Sequence, residues 1–268
     1  MTLDGHEPVK KALLVVSFGT SHAETREKTV GAIEKNIAEA YPEYEVRRAF
    51  TSGMILKVLE KRDGIVIDNV AEAMSRLVSD GFEEVLVQPT HVISGDEYDE
   101  MAGDVMLFED RFETLRIGAP LLFNTEDYQK VVRAVMEQFP DLGKRDALVL
   151  MGHGTGHRIN AAYAALDYRF KDMGYGNVFV GTVEAYPDIE TVARHVEAFR
   201  PEKVILMPLM VVAGDHAVND MAGEEDSWKS VFERAGFEVE CVLKGLGEFQ
   251  SIRDIYLEHV ASALEAEQ

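Results

Sequence analysis

The chain of 268 residues contains one cysteine, Cys241. No disulfide can form within it, and no cluster of thiolates can hold a metal. Cys241 falls in a strand-like run and reads as a small core residue. Basic residues are also scarce: 27 Lys and Arg against 48 Asp and Glu leave a formal net charge of −21. Nucleic acids and anionic membranes are recognised through basic footprints, so neither is an expected partner. No apolar run approaches the roughly 20 residues that a membrane span requires. The opening MTLDGHEPVKK has no apolar stretch of signal-peptide length. Together these absences point to the cytoplasm. Two nucleotide signatures are missing as well, G-x-G-x-x-G and a Walker loop ending in Lys-Ser/Thr. The G-x-S-x-G nucleophile elbow is absent too. A histidine phosphatase would want arginine before its catalytic histidine, and Gly152 stands before His153.

What is present is a regular alternation. Strand-like runs lie at 12–18, 45–50, 84–90, 114–119, 147–152, 177–183, 203–211 and 238–243. Between them fall helix-like segments such as 22–40, 68–80, 125–138, 158–173, 188–199 and 249–265. Pro42 follows the first of these, Gly174 closes the one ending FKDMG, and Pro187 opens the next. Near-continuous apolar strands alternating with helices predict an α/β fold with parallel sheets covered on both faces.

The chain also repeats itself. KKALLVVSFGTS (10–21) answers RDALVLMGHGTG (145–156), and FEEVLVQPTHVISGDEYDEMAGD (82–104) answers PEKVILMPLMVVAGDHAVNDMAGE (201–224). The expected architecture is two homologous α/β lobes, 1–125 and 126–268, with a cleft between them. In open α/β sheets ligands sit beyond the carboxyl ends of the strands, where the repeated turns fall.

The second half departs from the first at these turns. Phe18 is answered by His153 and Glu97 by His216, while Glu184 follows directly on the strand 177–183. Two imidazoles and a carboxylate form a ligand set for cobalt, nickel, iron or zinc, with positions left open for exchange. The spacing is long, and scattered polar loop residues are the competing reading. His157 reads as a substrate contact or as a polar residue opening its helix, ahead of a fourth metal ligand. His91 lies at a strand end and faces either the cleft or a structural partner. His22, His195 and His259 fall in or beside amphipathic helices and His6 in the tail, and all four read as unremarkable. Trp228 reads as a helix anchor.

With these residues in view, the chain resembles the class II tetrapyrrole chelatases, in particular the anaerobic sirohydrochlorin cobaltochelatases of cobalamin synthesis. The blocks that carry the resemblance are SFGTS (17–21), AFTS (49–52), GDEY (95–98), GHGTGH (152–157), TVEAYPD (182–188), PLMVVAGDHAVNDMAGEEDSW (208–228) and LKGLGE (243–248). Ala185 stands where the pattern leads one to expect glycine. The resemblance implies a chelatase-like fold that holds the macrocycle between its lobes. It implies that His153, Glu184 and His216 bind Co²⁺ (or Fe²⁺, Ni²⁺ or Zn²⁺) as substrate metal, with His153 also accepting a pyrrole proton. It further implies a reaction without ATP and a homo-oligomer. Phe18, Thr20, His91, Glu97 and His157 are the expected substrate contacts, with His91 a possible ligand of an accessory cofactor. Arg47, Arg48 and Lys57 are candidates to balance the carboxylates of the ring. A siroheme ferrochelatase, a nickel chelatase, a non-catalytic metal or tetrapyrrole carrier and a metal-dependent hydrolase are the alternatives.

Overall fold

Strands β1 (Lys11–Ser17) and β5 (Asp146–Gly152) are buried at every position after the first. In a computed structural model, which describes residues 9–266, each is a central strand of its own four-stranded sheet. His6 lies outside the described residues. The first sheet runs β2 (Glu45–Phe50), β1, β3 (Glu84–Pro89), β4 (Thr114–Ile117), and the second β6 (Val178–Thr182), β5, β7 (Lys203–Pro208), β8 (Glu238–Cys241). All pairings are parallel, and the two registers match: Val16 pairs with Pro89 as Met151 pairs with Pro208. All eight expected strands form.

Both faces of each central strand are used, as side-chain alternation requires. Ala12, Leu14 and Val16 face an outer core closed by α4 (Val70–Ser79) and α5 (Asp96–Met106). Ala147, Val149 and Met151 face an equivalent one closed by α8 (Ile189–Phe199) and α9 (Trp228–Arg234). Leu13 and Val15 share a third core with Leu148 and Leu150. That central layer is filled by α2 (Ala32–Ala40), α6 (Thr125–Met136), α7 (Ala161–Asp172) and α10 (Gln250–Glu265). In chain order α10 follows the second sheet; in space it packs on α2, α6 and β3.

The helices differ from the sequence reading in number and continuity. The segment 22–40 is broken by a π-helical turn, Glu27–Gly31, between α1 (Ala23–Arg26) and α2. Three further helices appear: α3 (Gly53–Val58), α5 and α9. Their apolar periodicity is weak. None of α3's residues is buried, and in α5 only Met101 and Val105 are, within an acidic sequence interrupted by Gly103. Trp228 is buried at the start of α9, as a helix anchor should be.

One difference between the halves bears on the site. Glu97 and Met101 are four positions apart in α5, whereas His216 and Met221 are five. The extra residue makes His216–Met221 a π-helical turn, with Ala222 N–H bonding to Ala217 O. A single insertion into an α-helix produces this bulge, and such bulges are frequent at functional sites.

Candidate metal centre

The backbone builds the site before any side chain is considered. Val183 N–H donates to Gly152 O and Glu184 N–H to His153 O, both at 2.9 Å, extending the β5–β6 pairing past the strands. Glu184 is thereby fixed beside His153. The first lobe repeats the pattern: Thr51 N–H donates to Ser17 O and Ser52 N–H to Phe18 O. Ser52 is therefore the counterpart of Glu184, and there it caps α3. In the second lobe the next helix starts only after Asp188, whose side chain caps α8, which leaves Glu184 on a loop.

Gly154 makes the turn possible. Its φ of +88° suits glycine, and a Cβ there would lie 2.9 Å from Ala185 N. Gly19, its counterpart, has φ +98°. Beneath the turn Tyr163 is buried against Gly152, and burial raises its phenol to about 12.

Three donors converge at the mouth. His153 Nε2 lies 3.8 Å from Glu184 Oε1, and the rings of His153 and His216 meet edge to face with centroids 4.8 Å apart. One donor atom from each of the three lies within 4.8 Å of the others. Ligands held about 2.1 Å from a tetrahedral ion sit roughly 3.4 Å apart, so small side-chain rotations close the set. Both imidazoles are oriented by a second contact. His153 Nδ1 is 2.8 Å from Gly154 O, and a carbonyl only accepts, so the proton is on Nδ1 and the lone pair on Nε2. His216 Nδ1 lies 2.7 Å from Asp220 Oδ2, which fixes the same tautomer. Metal-binding histidines are held this way by outer-shell acceptors. Asp220 escaped the sequence reading, although its i+4 spacing from His216 was visible.

From the opposite wall Glu97 faces these residues. Burial raises its carboxyl, the charge of His153 opposes that shift, and Glu100 and Glu184 add to it. Phe18 is exposed on the first-lobe turn, while Thr20 is buried and accepts His22 N–H on Oγ1. His157 Nδ1 caps the turn before α7 by accepting Ile159 N–H, and its Nε2 lies 3.7 Å from Asp99. His91 is buried, with no hydrogen bond at either ring nitrogen, and burial pushes it down to about 4. Arg47 and Arg48 are committed to the protein's own carboxylates, Arg47 to Glu45 and Asp80 and Arg48 to Glu34. His22, expected to be unremarkable, reaches across to Asp215 at 3.1 Å. On the other side Thr155 Oγ1 donates to Asp96, the counterpart of Asp215, at 2.9 Å. The lobes are thus clasped on both sides of the cleft. His259 is also more engaged than expected, buried 3.1 Å from Asp127 Oδ1.

Comparison with known proteins gives the family. The family model for cobalt chelatase (CbiK) matches residues 11–265. The sirohydrochlorin cobaltochelatase of Salmonella typhimurium is 43% identical over 260 residues, covering 96% of this chain and 97% of that protein. The sirohydrochlorin cobaltochelatase CbiKC of Nitratidesulfovibrio vulgaris is 33% identical over 266 residues, covering 97% and 93%. Among solved structures, SirB from Bacillus subtilis with Fe³⁺ superposes with a TM-score of 0.66 over 96% of each chain at 15% identity, a likeness of fold. The two-lobed chelatase fold is the one this sequence adopts, and the chain belongs to the CbiK cobalt chelatase family.

Proposed function

We propose that the protein is a sirohydrochlorin cobaltochelatase that inserts Co²⁺ into the metal-free ring without ATP, as a cytoplasmic homo-oligomer of two lobes meeting near residue 125. The observation that carries the reading is the convergence of His153, Glu184 and His216, in a chain of this family, on the rim of an interlobe cleft. These three hold the substrate ion by Nε2, carboxylate and Nε2, leaving coordination sites open to the ring nitrogens. Phe18 offers the macrocycle an apolar wall.

Insertion replaces two pyrrole N–H protons by one divalent ion, so two acceptors are needed. As the ion passes to the ring nitrogens, His153 Nε2 is released and takes one proton. Glu97, whose raised carboxyl makes it a stronger base than an ordinary glutamate, takes the other. Neither step needs phosphoryl transfer. Cobalt is preferred over iron or nickel in this reading, although the donor set accepts all three.

The test is an anaerobic absorbance assay with Co²⁺ and sirohydrochlorin in excess over protein and no nucleotide present. Many ring equivalents converted per protein are expected. Conversion that stops at one equivalent would identify a carrier, and none at all would remove the assignment. Parallel rates with Fe²⁺ and Ni²⁺ decide the metal.

A further inference from the structure

His91 stands out among the histidines of this chain for what surrounds its ring. Its side chain is only 8% exposed, and both ring nitrogens are buried without a hydrogen bond. Leaving a buried polar group unpaired is costly. His259 is buried too, but Asp127 lies 3.1 Å from it. For His91 the one carboxylate within 4.0 Å, among the described residues, is Glu97, whose Oε2 is 3.9 Å from Nε2. Burial holds His91 at about 4, so at neutral pH the ring is uncharged and has one N–H to give.

The surroundings hold the imidazole and leave the carboxylate free to approach it. Leu121 N–H donates to His91 O, and Tyr256 Oη donates to the adjacent Thr90 O at 2.7 Å. Tyr98 packs edge to face on the ring, with centroids 6.3 Å apart. The Glu97 side chain, by contrast, is half exposed. Closing the gap to a hydrogen bond of about 2.9 Å takes roughly 1 Å of movement. Glu97 is also close enough to His153 and Glu184 for both to shift its carboxyl. The first turn of α5, which carries it, is fastened across the cleft by Thr155 Oγ1 on Asp96. Glu97 thus has a buried imidazole on one side and the metal donors on the other.

The second lobe differs at both positions. Six residues separate His91 from Glu97, and six separate Met210 from His216, which occupy the matching places. Where the helical turn carries an imidazole, the strand end carries methionine, which has no N–H, and Asp220 serves His216 instead. Where the helix carries a carboxylate, the strand end carries histidine. The two positions change together.

We propose that His91 is a positioning residue for the second proton acceptor: its Nε2–H donates to the Glu97 carboxylate and holds it toward the ring nitrogens of the substrate. The pyrrole N–H bond breaks and its electron pair stays on nitrogen for the incoming ion. The proton forms an O–H bond on the Glu97 oxygen that His91 does not hold. His91 keeps its own proton throughout. The inference rests on the insertion reading above, in which Glu97 takes the second proton.

The experiment uses the full chain and combines steady-state insertion of Co²⁺ with NMR of protein carrying nitrogen-labelled histidine. His91→Met places in this lobe the residue that the other lobe has there. It is expected to lower kcat about tenfold, as loss of one hydrogen bond to a charged group predicts, with KM for the ring and Co²⁺ affinity near wild type. His91→Gln puts an N–H donor back near the Nε2 position and should recover most of kcat. Glu97→Gln should lower kcat further, and adding His91→Met to it should cost nothing more, because the two act as one unit. In the NMR arm the neutral Nε2–H tautomer is expected for His91, with a signal that moves in Glu97→Gln. Wild-type kcat in His91→Met would overturn the proposal, as would an equal loss of kcat with and without Glu97. So would a folded His91→Gln that recovers nothing, which is the signature of a packing role. A Nδ1–H tautomer, or a His91 signal indifferent to Glu97→Gln, would overturn it as well. Wild-type kcat in Glu97→Gln would defeat the acceptor role of Glu97, and a wild-type protein without turnover would defeat the chelatase reading. In either case, or should His91→Met fail to fold, the NMR comparison decides whether His91 holds Glu97.

Discussion

His153 and His216 each spend one ring nitrogen on an acceptor of the protein and present the other to the cleft, but the two acceptors differ. Gly154 O is backbone and cannot be mutated away, whereas Asp220 is a side chain. Asp220→Asn should therefore lower Co²⁺ affinity by about tenfold to a hundredfold while leaving the fold intact, measured by calorimetric titration of the metal. An unchanged affinity would show that Asp220 does not orient the ring. The three donors should behave as one unit. His153→Ala, Glu184→Ala and His216→Ala are each expected to abolish most of the insertion rate, and the triple variant to be little worse than the weakest single. Circular dichroism should report native folding in all four, because the donors are at least partly exposed and lie outside the cores. Effects that simply added would argue against a shared ion. At this scale the sequence was informative where the two halves disagree: the exchange of Phe18 for His153 and of Glu97 for His216 exposed two of the donors. Asp220 left no such trace, because an aspartate in an acidic block is ordinary until its partner is known.

Among the elements, the π-helical turn His216–Met221 does the most to separate the lobes functionally. It is one residue longer than its counterpart in α5, and that residue brings Asp220 under His216. Deleting Val218, which is half exposed, restores the spacing of the first lobe. The expected product is a folded protein with α-helical spacing and a metal affinity at least tenfold weaker, because the outer-shell acceptor is displaced. Full affinity in the deletion variant would mean that the bulge is incidental. The Gly154 turn is the second determinant. Gly154→Ala combines a left-handed φ with a Cβ 2.9 Å from Ala185 N, so a loss of about 2 to 3 kcal/mol is expected in denaturant unfolding, together with the metal site. The strands were legible because each is a short, almost wholly apolar run. Helices α3 and α5 were not, because their buried stripes are too thin to show a period.

Across the whole molecule, the central core is shared: Leu13 and Val15 of one sheet and Leu148 and Leu150 of the other pack into a single layer with α6 and α10. Unfolding should accordingly be one cooperative event, and its pH dependence carries a specific signature from His91. Burial holds the folded imidazole at about 4, whereas an unfolded histidine titrates near 6.5. Between those values the unfolded chain takes up a proton that the folded chain does not. The His91 contribution is therefore constant above about pH 6.5, and stability falls as pH drops toward 4, by up to roughly 3 kcal/mol. Met210 occupies the matching position of the second lobe, since Leu121 N–H bonds to His91 O as Leu246 N–H bonds to Met210 O. His91→Met should remove this segment of the acid sensitivity and raise stability at pH 5, read as the urea midpoint at pH 5 and pH 7.5. An identical acid dependence in the variant would place the sensitive group elsewhere.

The sequence by itself determined the parallel α/β character, the eight strands, the duplication and the chemical types of the three donors. Those follow from local pattern: apolar runs set strands, and comparing one half with the other marks the positions where polarity changed. Only the tertiary structure decided what depends on distance between remote segments. His153, Glu184 and His216 are about 31 residues apart at each step, and nothing in that spacing brings them together; the β5–β6 backbone bonds and the π-helical turn do. The same holds for α10, which follows the second sheet in the chain and packs against β3 of the first, because its apolar side is satisfied by whichever surface the finished core leaves uncovered. Asp220 shows the limit most sharply. Its charge is written in the sequence, but its place beside His216 Nδ1 is a fact of packing.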